Sequence, residues 1–256
     1  MNYTIKPFDK TNDGHYEALV ALEAAVYPNY PTSIASLKGR DAQRAADRYK
    51  YRAIVVDGLQ DDIVAVGDVH HTVDTYHPQK FVLDMFIDPA RDAPPLRETF
   101  HTYLTDHAAQ FDPIQLSVSC NSSQQHIIDF YEKQGYVMKV REYSSKLELA
   151  TFDPTPFQKY VDRVSANGIE IFDIQQLKAR YPDKWVQLVY DVVMAVDQDV
   201  PWHEPIQRQP YESWVKRFCN QPDRLNQCYL IAMDGDRPVG VTMVFKMGAV
   251  ADKLFT

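Results

Sequence analysis

The stretch Leu116-Ser-Val-Ser-Cys-Asn-Ser-Ser-Gln-Gln-His-Ile-Ile-Asp-Phe-Tyr-Glu-Lys-Gln-Gly-Tyr136 changes character at Asn121. Ile114 to Cys120 reads as a strand that Asn121 ends, and His126 to Gln134 reads as a helix. Gly135 stands where a helix C-cap favours the residue that adopts positive φ freely. Toward the N-terminus, a helix is expected over Leu96 to Gln110 and a strand over Phe81 to Ile87, closed by Asp88-Pro89. Ala53-Ile-Val-Val-Asp-Gly58 and Ile63-Val-Ala-Val-Gly-Asp-Val69 form a hairpin about a turn at Leu59 to Asp62. Ahead of it come a helix at Ile34 to Ala46 and another at Tyr16 to Val26. In the latter, Leu19, Leu22, Ala25 and Val26 recur at helical spacing before Pro28 and Pro31 interrupt. Residues 3–8 open the chain as a strand, and Tyr136 to Leu149 are expected to supply the last strands.

A strand closed by Asn121 and a helix ending Phe130-Tyr-Glu-Lys-Gln-Gly-Tyr136 resemble the hallmark of the GNAT (GCN5-related N-acetyltransferase) family, whose helix ends in F-Y-x-x-x-G-F/Y. The order strand, two helices, hairpin, strand, helix, strand is also that family's. The resemblance covers residues 3–149. It implies an α/β (α+β) fold with a mixed, mostly antiparallel sheet flanked by helices. It also implies acetyl transfer from acetyl-coenzyme A (acetyl-CoA), as co-substrate and without metal, to a small-molecule amine or a peptide N-terminus. Such a reaction needs a neutral amine, a backbone donor for the oxyanion and a proton for the leaving thiolate. By resemblance the backbone donor falls on the strand Met85, Phe86, Ile87 and the proton on Tyr131. Asn121 would face the pantetheine arm. Each has a structural reading too: an aromatic packed ahead of a Gly cap for Tyr131, and a turn or helix cap for Asn121.

One segment departs from the family. Where GNAT proteins carry R/Q-x-x-G-x-G/A, this chain reads Arg91-Asp-Ala-Pro-Pro-Leu96. The glycines of the motif let backbone N–H groups approach a pyrophosphate at a helix N-terminus. Pro94 and Pro95 have no N–H to offer, and Asp92 adds negative charge there. Only Arg91 matches, so the cofactor loop reads as degenerate.

After residues 151–166, which read as a linker containing Pro154 and Pro156, the pattern restarts. Ile5-Lys-Pro-Phe-Asp9 is echoed by Ile169-Glu-Ile-Phe-Asp173. Ile54-Val-Val-Asp-Gly58 with Val66-Gly67 is echoed by Ile231-Ala-Met-Asp-Gly235 with Val239-Gly240. Helical stretches at Lys184 to Val196 and Tyr211 to Cys219 lie between. The expected organisation is a GNAT-like domain over 1–150, a linker over 151–166 and the N-terminal half of a second such domain over 167–256. A half-sheet leaves an unpaired edge, so either the chain is a truncation, or the edge pairs with the first domain or with a second copy as a homodimer.

The net charge of −8 argues against a nucleic-acid partner, which rewards clustered Lys and Arg, and suits a cationic substrate such as an amine. Three cysteines without a C-x-x-C pair give neither a disulfide framework nor a zinc pattern. With no signal-type N-terminus and no run long enough to span a membrane, a cytoplasmic protein is expected. Cys120, with no basic neighbour, reads as a packed thiol. Lys38, Arg40, Arg44 and Arg48 read as a solvated basic helix face. His70 and His71, with Asp68, Asp74 and His77, suggest a metal enzyme or hydrolase, but adjacent histidines on a strand point to opposite faces. An exposed hairpin segment is the reading preferred there. Trp202-His203-Glu204 lies where the family's first loop shapes the acceptor pocket, between Pro201 and Pro205 of a surface loop. The function expected is N-acetyl transfer to a primary amine. The alternative is a catalytically degenerate GNAT-fold binding or dimerisation module.

Overall fold

The computed structural model describes all residues except Met1, Pro31, Val73, Asp74, 201–203, Pro205, 222–223, 247–253 and Thr256, with Leu254 and Phe255 described in backbone only. The described residues divide into two compact units, one up to Val137 and one from Met138 onward.

The first unit runs β1 (Tyr3–Pro7), α1 (Asp13–Val26), α2 (Ile34–Gln43), β2 (Lys50–Asp57), β3 (Asp62–His70), β4 (Lys80–Ile87), α3 (Pro94–Ala109), β5 (Gln115–Ser117) and α4 (Gln125–Lys133). Its five strands lie in sequence order, antiparallel except for the parallel β4–β5 pair. Alternation along the strands gives each helix layer its own core. Ile54, Val66 and Phe86 face α1 and α2, packing with Leu19, Leu22 and Leu37. Leu83, Met85 and Ile87 face the opposite way, onto Leu96, Phe100 and Leu104 of α3 and Phe130 of α4. Helix α3 crosses β3 at Gly67, where a Cβ would stand 2.7 Å from Leu104 Cδ1 and 2.8 Å from the Asp84 carbonyl. Only glycine fits that approach.

Helix α4 ends as Gly135 foretells. At φ +87° Gly135 turns the chain, and its N–H donates to the Glu132 carbonyl while Tyr136 N–H donates to the Tyr131 carbonyl. This is a Schellman cap, and the Tyr131 and Tyr136 rings, 5.3 Å apart, supply its usual apolar contact.

Beyond that cap the structure departs from expectation. Residues 137–148 form no strand, and Val137, Met138, Tyr143 and Leu147 are exposed. Alternating side chains suit a strand, but a strand exists only through a partner's ladder, and β5 pairs with β4 over three residues alone. The stretch expected to be a linker contains helix α5 (Gln158–Ala166), none of whose residues is buried.

The second unit continues with β6 (Ile169–Asp173), α6 (Ile174–Arg180), α7 (Trp185–Val196), α8 (Tyr211–Cys219), β7 (Leu230–Asp234) and β8 (Arg237–Thr242). These strands form an antiparallel sheet in the order β6-β7-β8, and β9 (Phe245–Lys246) pairs separately with β10 (Leu254–Phe255). Val189, Leu177, Ile231 and Met233 are fully buried, beside Trp214 and Phe218 stacked at 4.6 Å. The hairpins of the two units share a feature: the β2–β3 register shifts between Val55 and Val56, and the β7–β8 register between Ala232 and Met233. Both shifts fall one residue before the Asp that starts the turn. The turns differ in length, with Asp57 pairing Asp62 and Asp234 pairing Arg237. Gly240 therefore aligns with Ala65, and the echo read between Val66-Gly67 and Val239-Gly240 is offset by two residues.

Candidate functional site

In β4 the Asp88 N–H donates to the Val64 carbonyl of β3, so even-numbered residues direct their backbone groups toward β3. Odd-numbered ones direct theirs toward β5, as the bond from Ile114 N–H to the Gln79 carbonyl shows. Because β5 ends its pairing at Val82–Ser117, the backbone N–H groups of Met85 and Ile87 face an opening between parted strands. That of Phe86 does not; its ring meets Tyr27 of the α1 end edge-on at 6.2 Å.

One carboxylate stands beside this opening that sequence reasoning missed. Asp84 lies on the α1–α2 side of β4, directly across from Asp68 of β3. Water reaches 35% of its side chain, and protein surrounds the rest. It makes no hydrogen bond among the described residues, and its nearest ionic neighbour is His70 Nδ1 at 3.9 Å. Burial, reinforced by the Asp68 charge, pushes its pKa up to about 6. Glu23, on α1, faces the same charges and is likewise pushed up to about 6, chiefly by burial. The signal was present in Phe81-Val-Leu-Asp-Met-Phe-Ile87, an apolar strand with a single acid at its centre.

Asp68 is held the other way. Burial opposes its charge, but a 2.7 Å contact with His70, Lys50 Nζ at 3.1 Å and Arg52 Nε at 3.0 Å outweigh it and keep its carboxyl well below the usual range. Arg52 also reaches Asp41 of α2 at 2.9 Å, and Asp41 accepts from the Tyr16 hydroxyl at 3.0 Å. Asp68, His70 and Asp84 offer ligand atoms within 4.8 Å of one another. Lys50 and Arg52 already neutralise Asp68, so the arrangement is an ion-pair network rather than a cation cage.

His71 faces the other way from His70, as strand alternation requires, but it is buried rather than part of an exposed segment. Its Nδ1 accepts from Tyr49 N–H and its Nε2 donates to the Pro78 carbonyl, both at 3.1 Å, among Tyr49, Tyr76 and Phe81. Burial lowers its pKa, and both nitrogens are spent on structure. His77 Nδ1 accepts from Gln79 N–H. Asp74, Trp202 and His203 lie outside the described residues. The expected basic helix face does not form, because α2 ends at Gln43 and leaves Arg44 and Arg48 beyond it. Lys38 pairs with Asp13, Arg40 with Thr32, Arg44 with the His71 carbonyl, and Arg48 with Asp47. Cys120 is exposed rather than packed.

Tyr131 is buried against Phe130, His101 and Tyr136. Its hydroxyl makes no hydrogen bond among the described residues. Burial holds its pKa well above the usual phenol value, with Arg97 opposing and Tyr136, Asp84 and Tyr27 reinforcing. It therefore keeps its proton throughout the neutral range. Tyr27, pushed up to about 12 mainly by burial, donates to the Ser119 carbonyl at 3.4 Å and so links the end of α1 to the segment that follows β5. Asn121 forms a turn: its Oδ1 accepts from Ser123 N–H at 3.0 Å and from the Ser123 hydroxyl at 2.9 Å. It also lines, with Tyr27, Tyr30 and Gln124, a cavity of about 120 Å³. A ligand of drug size needs roughly 300 Å³ or more, so this cavity holds a fragment at most.

The residues at the start of α3 do not fit the diphosphate of a coenzyme A. Pro94 and Pro95 occupy its first two positions, which leaves Leu96 as the only N–H donor among the first three. Arg91 is committed to Asp57 and Gln60 of the β2–β3 turn. Asp92 is ion-paired with buried Arg97 and approached by His126.

No family model matches the sequence, and no curated protein matches it in sequence. Solved structures of similar fold include an acetyltransferase from Trypanosoma brucei, 15% identical with a TM-score of 0.43, covering 57% of this chain and 100% of that one. Glucosamine-6-phosphate N-acetyltransferase from Arabidopsis thaliana is 14% identical with a TM-score of 0.43, covering 58% of this chain and 100% of its own. The ribosomal-protein-S18-alanine N-acetyltransferase from Escherichia coli is 16% identical with a TM-score of 0.40, covering 52% and 77%. Among the described residues no helix is long and apolar enough to cross a membrane. The first unit through β5 and α4 has the expected mixed, mostly antiparallel sheet flanked by helices.

Proposed function

We propose that the first unit is the amine-receiving half of an N-acetyltransferase-type site, holding a primary amine against Asp84 where β4 and β5 part. The observation that carries this is the Asp84 carboxylate, free of hydrogen bonds among the described residues and raised to about 6. A half-buried carboxylate of that kind attracts an alkylammonium and is matched to accept its proton near neutrality. The N–H groups of Met85 and Ile87 face the same opening, and Tyr131, which packs in one core cluster with these two residues, is the acid this reading assigns. Acetyl transfer from acetyl-CoA is the chemistry that the resemblance at Asn121–Tyr136 implies. No transfer step is assigned to this unit, because the start of α3 does not fit the donor's diphosphate. The unit is thus a GNAT-fold binding module for amines, and we propose that the second unit, with its matching hairpin shift, is the opening half of a repeat of the same fold.

Calorimetric titration of the whole chain with butylamine, putrescine and an alanine-initiated tripeptide amide tests the reading. Saturable binding of at least one, weakened about tenfold or more in Asp84→Asn, is expected, since a charged hydrogen-bonded contact contributes about 1.5–3 kcal/mol. Absence of binding by all three, or equal binding by the variant, refutes it.

A further inference from the structure

The start of α3 carries its own anion. A helix N-terminus attracts negative charge through its unsatisfied N–H groups and its dipole. Here Asp92 sits two residues before the first helical residue, its side chain 9% exposed and that of Arg97 6% exposed. Arg97 Nε donates to Asp92 Oδ1 at 3.0 Å, and a second guanidinium nitrogen donates to Oδ2. His126 Nε2 of α4 lies 3.3 Å from Oδ2. Phe130 of α4 lies under the guanidinium, 5.6 Å from its ring centre, so Arg97 is held from two helices. An arginine fork and an imidazole converging on one doubly accepting group are what phosphate recognition uses, and here the accepting group is covalently part of the chain.

We infer that Asp92 is a built-in replacement for the diphosphate of an acyl-coenzyme A, so that the first unit binds neither coenzyme A nor acetyl-CoA at α3. The two prolines remove donors that a mobile phosphate would need. The aspartate supplies, at no association cost, the negative charge that Arg97 requires once buried. Arg91 is withdrawn to Asp57 and Gln60 and so is not offered to a phosphate. This holds whether or not an amine binds at Asp84, since the two sites share no residue.

The test uses the intact chain and needs no variant for its first arm. Wild-type protein titrated with millimolar coenzyme A and with inorganic pyrophosphate, followed by calorimetry and thermal shift, should give no saturable signal. Micromolar binding of coenzyme A would overturn the inference outright. In the second arm, Asp92→Asn removes the counter-charge of buried Arg97 and one of its two acceptors, and should lower Tm by several degrees. Pyrophosphate at millimolar concentration should then restore Tm in the variant but not move the wild type. Sodium chloride of equal ionic strength should restore less. If pyrophosphate and chloride act alike, Arg97 is not an anion-reading group and the replacement idea fails. Asp92→Asn combined with Arg97→Met should lose the restoration, and retention of it would also refute the proposal.

Discussion

Asp84 and Asp68 face each other across the β3–β4 ladder and are driven to opposite ends of the carboxylate range, the first up to about 6 and the second well below normal. Arg52 and Lys50 reach Asp68, and neither is within ion-pair distance of Asp84. Cross-strand neighbours of like charge repel, and the cations decide which of the two stays ionised.

The pH dependence of stability follows. A carboxyl whose folded pKa exceeds its unfolded one binds more protons folded than unfolded between the two values, so stability falls as pH rises through that window. For Asp84 the window runs from about 4 to about 6. Asp84→Asn should therefore gain stability relative to wild type between about pH 4 and pH 8, measured by denaturant unfolding at both ends. A constant difference across that range would mean Asp84 has an ordinary pKa.

Asp68 has the opposite sign. Its contribution is present above the usual carboxylate range and is lost as pH falls through its depressed folded pKa. Removing it by Asp68→Ala at neutral pH leaves Arg52 and Lys50 buried beside a vacancy, with an expected loss of about 3–5 kcal/mol. Equilibrium unfolding in urea gives the value directly, and a loss under about 1 kcal/mol would show that Asp41 alone satisfies both cations.

Two glycines are required for different reasons, and one substitution separates them. At Gly67 a methyl group meets Leu104, Phe100 and the Asp84 carbonyl at under 3 Å, so Gly67→Ala should cost about 1–3 kcal/mol or more by overpacking. At Gly135 an added Cβ would meet nothing within 4 Å, and the whole cost comes from φ +87°. Gly135→Ala should lose about 1–2 kcal/mol. Asn, which tolerates that backbone, should recover part of the loss at residue 135 and none at 67. Chemical denaturation of the four variants checks both.

Tyr131→Phe removes a hydroxyl that has no hydrogen-bond partner among the described residues. Its effect on stability should stay within about 0.5 kcal/mol, while the packing with His101, Phe130 and Tyr136 remains. A loss above about 1 kcal/mol would mean that the hydroxyl has a structural partner, and Tyr131 would no longer be a candidate acid.

Much of this arrangement was legible in the residues themselves. Leu19 and Leu22 of α1, the hairpin about Asp57, and the Gly135 cap follow local rules that need no neighbour. The defect at Arg91-Asp-Ala-Pro-Pro-Leu96 was legible for the same reason, since a missing N–H is a property of proline alone. Asp84 shows in the sequence only as a lone acid in an apolar strand; its raised pKa comes from burial, reinforced by Asp68 across the ladder, which the folded packing alone supplies. His71 reads as peripheral until Tyr49 and Phe81 close over it. Tyr136 to Leu149 has the side chains of strands but lacks a ladder. The two-residue difference between the hairpin turns misled the comparison of Gly67 with Gly240.

The three-residue attachment of β5 has a kinetic consequence. Strands β2 and β3 are bonded along both edges over most of their length, whereas β5 is bonded to the sheet by one short parallel ladder and α4 is held by side-chain packing. Amide exchange should therefore be layered, with β5 and α4 opening as a sub-global unit long before β2 and β3 unfold. Each such opening bares Ile127 and Phe130 together with the lower edge of β4. Within the first unit, a clip by protease should begin there while four strands remain folded.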